Sequence, residues 1–125
     1  METTAMEPVL LKNGLTLLFD DQSKKIAADR WYVCIWVRIK IPVDLKWFNT
    51  DSIEEKQFEP IVRVLGHEVV FSQKKERNFV SSDQKNKIVQ EICQSAKAMA
   101  IQYCSSNDFA AKTILKKLSQ HRLDR

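Results

Sequence analysis

Two histidines, three cysteines and one loop dense in Asp and Ser hold most of the side chains in this chain that could carry out chemistry. His67 follows Gly66, which suits a helix end, and stands beside Glu68; His121 lies in a polar stretch near the C-terminus. Neither has a nucleophile in a recognisable catalytic setting, so both read as solvated histidines. Cys34, Cys93 and Cys104 are scattered and odd in number, which fits reduced thiols rather than a disulfide framework. On one helix Cys93 and Cys104 would lie about 16 Å apart, at 1.5 Å per residue, too far to bridge. A zinc site needs Cys/His pairs at close spacing, and no such pair occurs. The loop residues Asp20, Asp21, Ser23, Asp29 and Arg30 could gather a cation or a phosphate, but they lack the ligand order and the glycine of an EF-hand. Asp and Ser bonding their own backbone in turns account for them, with Asp29 and Arg30 forming a structural ion pair.

Glycine sets a firmer limit. With only Gly14 and Gly66 in the chain, neither a glycine-rich phosphate loop nor a GxGxxG fingerprint can be built. No catalytic residue, metal or cofactor is expected, and the chain reads as a non-enzyme.

Basic side chains are the remaining lead. The formal charge is +4, split between a balance of −2 in residues 1–62 and +6 in residues 63–125. Lys74, Lys75 and Arg77 cluster at what reads as a hairpin tip, and Lys112, Lys116, Lys117 and Arg122 lie on or after the last helix. Such groups can hold phosphates by releasing counterions. Tyr32, Trp36, Arg38 and Lys40 add an aromatic-basic row like those that stack bases on a sheet face. No RNP-type motif accompanies them, so nucleic acid is the alternative partner. Solubilising surface charge explains the same residues more simply.

The elements that must position these groups are legible from pattern. The 125 residues suit one domain, and 44% hydrophobic with 29% charged residues is ordinary globular composition. No apolar run approaches the roughly 20 residues of a membrane helix, and METTAMEP lacks the basic start of an export signal. The expectation is a cytoplasmic protein with no membrane partner. VLLKNGLTLLF, Val9 to Phe19, predicts a hairpin with a two-residue Asn13-Gly14 type I′ turn. That register pairs Val9 with Leu18, Leu10 with Leu17 and Leu11 with Thr16, and puts Val9, Leu11 and Leu18 together on one face. DDQSKKIAADR reads as a polar connection. In DRWYVCIWVRIKIPV the odd positions from Trp31 to Val43 form an unbroken apolar row at period two, a strand facing a core. The even positions begin with Tyr32, Cys34 and Trp36 and end with Arg38, Lys40 and Pro42.

Beyond Asp44 the pattern predicts a short helix with Pro60 in its first turn, apolar Phe58, Ile61, Val62 and Leu65, and Gly66 as its cap. Two strands follow, near Glu68–Gln73 and Arg77–Val80, joined at Lys74-Lys75-Glu76. A helix capped by Ser82 or Asp83 runs to about Cys104 with Ile88, Val89, Ile92, Ala96, Met99 and Tyr103 inward. Ser105 to Asp108 break it and cap a last helix with Phe109, Ile114, Leu115 and Leu118 inward. The whole predicts a single α+β domain over residues 1–125: an antiparallel meander-type sheet opening with an Asn-Gly hairpin and packed by two C-terminal helices.

NGLTLLFDDQSKKIAADRWYV, VVFSQKKERNFV and the two closing helices resemble a group of small bacterial proteins of uncharacterised function, over most of the chain. That resemblance implies no role for any residue. The physical question is what covers Tyr32, Cys34 and Trp36 together with Val9, Leu11 and Leu18. Either the Phe58–Leu65 segment or sheet curvature hides them, or a second copy or another protein does, since contiguous apolar patches tend to be contact sites. The leading expectation is therefore a self-associating protein-interaction module, a homodimer through that patch or the hairpin tips.

Overall fold

A computed structural model describes residues 6–48 and 55–123. The first five residues of METTAMEP and the side chain of Arg122 lie outside what is described. The chain runs β1 (Val9–Leu10), β2 (Thr16–Asp21), β3 (Lys24–Ala27), β4 (Arg30–Pro42), a 3-10 turn (Leu45–Trp47), α1 (Glu55–Leu65), β5 (Glu68–Ser81), α2 (Lys85–Tyr103) and α3 (Asn107–Leu123). It is the α+β fold read from the sequence, with one antiparallel sheet and the C-terminal helices packed on it.

β4 is the spine of the sheet. On one side it pairs with β2 and, further along, with β3; on the other it pairs with β5 over its whole length. The stretch read as a polar connection is thus mostly strand, because β2 and β3 form one bent arm that turns at Ala28-Asp29. At the bend Gln22 N donates to Cys34 O at 2.8 Å and the Ser23 hydroxyl accepts from Cys34 N at 2.9 Å, so the ladder loses no partner there. The second correction concerns residues 68–81, which form one 14-residue strand rather than two. Lys74, Lys75 and Glu76 are not a tip but lie mid-strand opposite Trp36, Ile35 and Cys34. A bulge interrupts the ladder between Arg77 and Val80, and within it Phe79 adopts a left-handed φ of 56° while 74% exposed.

The opening hairpin forms in a different register. Val9 pairs with Leu17 and Leu10 with Thr16. Leu11 N donates to Leu15 O at 2.8 Å, and Gly14 N to Leu11 O at 2.9 Å. Gly14 alone in the turn has positive φ, at 89°. The loop is therefore Lys12-Asn13-Gly14, a tight turn closed by a left-handed glycine, rather than a two-residue type I′ turn. A tertiary tie accompanies this choice: Asn13 Nδ2 donates to Cys104 O at 2.9 Å and Ser106 O at 3.0 Å, while its Oδ1 accepts from Leu15 N at 3.1 Å. One residue of slip exchanges the faces of a strand, so Val9 and Leu11 join the core and Leu10 is 74% exposed.

The core sits wholly on the odd-numbered side of β4, where Val33, Ile35, Val37, Ile39 and Ile41 are 0% exposed. Small residues set the helices close: Cys93, Ala96 and Ala100 of α2 and Ala110 of α3 are buried beside Ile92, Ile114 and Leu118. Tyr103 and Leu115, expected inside, are 65% and 45% exposed. Neither Ser82 nor Asp83 caps α2; Gln84 does so without a side-chain bond, while Ser106 Oγ accepts from Phe109 N at 3.2 Å at the start of α3. α1 begins before Phe58, so Pro60 is interior rather than in the first turn, and Gly66, at φ 82°, ends the helix as expected.

Candidate interface on the open face of the sheet

Phe58, Ile61, Val62 and Leu65 of α1 pack with Trp47, Val37, Ile39 and Ile41, on the odd-numbered side. They do not reach Tyr32, Cys34 and Trp36, so the chain's own short helix is not the cover for the even-numbered face. Two of the six candidate interface residues, Val9 and Leu11, belong to the core for the reason given above. Leu18 pairs with Arg38 and shares the even face. Cys34 is only 3% exposed, a small thiol in the pleat between Tyr32 and Trp36, both half-buried. What faces outward is a band of two aromatics set among charges, not a broad apolar patch.

The charges are ordered by the strand register. Residues directly opposite in an antiparallel pair share a face. Across the row through Trp36 stand Asp20 on the β2 flank and Lys74 on the β5 flank. Nearer the other end, Lys24 of β3 lies opposite Tyr32 and Glu76 of β5 lies opposite Cys34. Acid and base thus alternate in opposite order along the two flanks. Arg38 Nη1 meets Asp20 Oδ2 at 2.9 Å, and this guanidinium first, with the Gln22 amide second, holds the Asp20 carboxyl below its ordinary range. The Tyr32 hydroxyl donates to Glu76. That bond foremost, with Cys34 beside it, pushes the phenol well above its usual pKa, so the hydroxyl stays a donor.

Trp36 is bracketed by cations, with Arg38 at 5.1 Å and Lys74 at 5.9 Å from its ring centroid, and Lys24 stands 5.9 Å from that of Tyr32. Such contacts are worth about 0.5–1 kcal/mol each when exposed, enough to hold the side chains in place while leaving the rings accessible. The other basic candidates do not gather on this face. Lys75 and Arg77 border a recess against Ile88, Glu91 and Ile92 of α2, whereas Lys112, Lys116 and Lys117 line a groove between α3 and the Phe71–Gln73 end of β5. The proposed nucleic-acid contact set is therefore split over three surfaces.

Among the described residues there is no cluster of His, Cys, Asp or Glu able to hold a metal ion, and no helix long and apolar enough to cross a membrane. Asp29 and Arg30 pair at 3.1 Å, and the Asp21 carboxylate caps its own turn by accepting from Ser23 N at 2.9 Å, as their spacing suggested. What the sequence hid was the ordering of Asp20, Lys24, Lys74 and Glu76, because it depends on which strands flank β4. No family model matches the chain, and neither a curated protein nor a solved structure is matched.

Proposed function

We propose that this protein is a small interaction module that self-associates through the even-numbered face of its sheet. The observation that carries the reading is the opposite order of charge on the two flanks of β4. A two-fold axis running along β4 between two stacked sheets exchanges the flanks. It sets Asp20 over Lys74 of the second copy and brings Lys24 within two residues along the strand, about 7 Å, of Glu76, with Trp36 and Tyr32 at the centre. Such self-complementarity is what an isologous interface requires, and sheets stacked face to face keep their strands nearly aligned. A central aromatic anchor with a charged rim is the usual anatomy of a contact surface.

The test is the native mass. A dimer of the 14.6 kDa chain is expected, and Trp36→Glu should return it to a folded monomer. Asp20→Lys and Lys74→Asp should each weaken the dimer by about tenfold, or about 1.4 kcal/mol, and the double exchange should restore it. A double exchange as weak as either single one would sink the pairing scheme. A second reading, single-stranded nucleic acid on the same face, draws on Trp36 between Arg38 and Lys74. In that case Asp20→Lys should tighten binding rather than weaken it.

A further inference from the structure

The open edge of β5 points to a different contact. Among the described residues β5 pairs with β4 alone, so the outer edge of a 14-residue strand carries no ladder. Unpaired edges of this length invite another strand, and charged side chains are a common guard against it. Here the guard is uneven: Lys74, Lys75, Glu76 and Arg77 stand consecutively, whereas Phe71, Ser72 and Gln73 just before them carry no charge. It is beside those three residues that a groove of about 710 Å³ opens between the β5 edge and α3. Consecutive strand residues lining it mean that the backbone edge itself, not one side-chain face, forms the wall.

The rest of the groove describes its occupant. Phe71 and Phe109, which meet edge to face at 5.2 Å, give the groove its apolar lining together with Tyr103, 65% exposed. Gln73 also lines the groove, its Oε1 buried without a hydrogen-bond partner. The α3 wall is basic, with Lys112, Lys116 and Lys117 against the single acid Asp108. We propose that this groove takes an extended acidic peptide of a partner protein, which adds as a strand to β5 and turns its carboxylates toward the α3 lysines. Strand addition draws affinity from main-chain hydrogen bonds and specificity from the side chains on one face. A nucleic-acid strand would use the lysines but leave the N–H and C=O groups of the β5 edge unmatched. The site is separate from the even-numbered face and does not depend on self-association there.

The experiment is fluorescence anisotropy with a labelled peptide of about nine alternating Glu and Thr residues, the length of a long strand. Two further probes are the same peptide with Pro in place of Thr, which keeps the charge and removes ladder donors, and an oligothymidylate of similar length. Saturable binding of the first peptide is expected, weakened about tenfold by Pro in the ligand and again by Lys112→Glu with Lys116→Glu in the protein. Both lysines are exposed, so unchanged circular dichroism is expected for that variant. Trp36→Glu should leave peptide binding unaltered, which separates this site from the self-association face. Absence of saturable binding would overturn the proposal, as would equal affinity for the Pro peptide or the oligothymidylate, which would reduce the groove to a charge effect. Binding that occurs only as a dimer dissociates would also overturn it, by assigning the β5 edge to pairing between copies.

Discussion

Asn13 does more than turn the chain. Its amide spans the hairpin loop and the α2–α3 connection through three hydrogen bonds, two of them to the carbonyls of Cys104 and Ser106. Asn13→Ala removes all three and leaves the Cys104 carbonyl short of a partner, so a loss of about 2 kcal/mol is expected, read from the urea midpoint. Gly14→Ala meets no steric obstacle, since nothing lies within 4 Å of an added Cβ, and its cost should be the conformational one of about 1 kcal/mol for a left-handed residue. Cys93 makes a prediction in pH. Burial first, and the charge of Asp21 second, push its thiol from 9.0 to about 11. The thiol therefore ionises more readily in the unfolded chain, and its contribution is whole below pH 9.0 and lost as pH rises toward 11. Cys93→Ala should lessen the fall of stability over that interval, leaving the similarly directed effects of buried Cys104 and of the Tyr32 phenol; an unchanged slope would remove Cys93 as a cause.

At the scale of elements, the hairpin register decides which residues the core receives. The three-residue loop Lys12-Asn13-Gly14 sends Val9 and Leu11 inward. Deleting Lys12 leaves Asn13-Gly14 as a two-residue loop with Leu11 still opposite Leu15, so the core keeps its residues and only the tie from Asn13 to the α2–α3 connection is at stake. A loss of about 2 kcal/mol is expected, no more than Asn13→Ala costs, whereas Lys12→Ser should stay within about 0.5 kcal/mol as a surface change. A loss above about 3 kcal/mol, the scale of truncating a core Leu, would show that the deletion had moved the register instead. This hairpin also marks where the sequence stops being readable. The apolar row from Trp31 to Val43 was unmistakable because burial on one face imposes a period of two. Local chemistry at Asn-Gly favours a type I′ turn; the residues that Asn13 bonds, 104 and 106, lie more than 90 positions away in sequence. Three charges in succession at Lys74-Lys75-Glu76 look like a hairpin tip, yet an edge strand such as β5 tolerates them. Ala96, Ala100 and Ala110 carry too little hydrophobic signal to stand out, although their small size is what lets helices sit against the sheet. The even row of β4 was legible as residues but not as a surface, since its flanking charges come from strands whose neighbours periodicity cannot name.

For the whole molecule, the distribution of charge matters more than its sum. The excess of the C-terminal half is divided between the even face, the α2 border and the α3 groove, so no one surface carries the full positive balance. The two readings of the even face then differ sharply in their response to salt. In a stacked pair of sheets the exchanges of Asp20 with Lys74 and of Lys24 with Glu76 would be rim contacts, worth about 0–1 kcal/mol each, around an apolar centre at Trp36 that salt leaves intact. Raising salt from about 50 to about 200 mM should therefore weaken the dimer by less than about tenfold, because salt screens the rim and not the centre. A contact set of six to ten phosphates would instead lose about 10³ to 10⁵ in affinity over the same range. Sedimentation equilibrium of the free chain, and titration with an oligothymidylate at the same two salt concentrations, measure both responses on one sample. A dimer that survives while nucleic-acid binding is absent or collapses gives the face to a second copy. A dimer lost in proportion to counterion release would mean that charge rather than Trp36 holds the copies together, and the aromatic anchor would have to be abandoned.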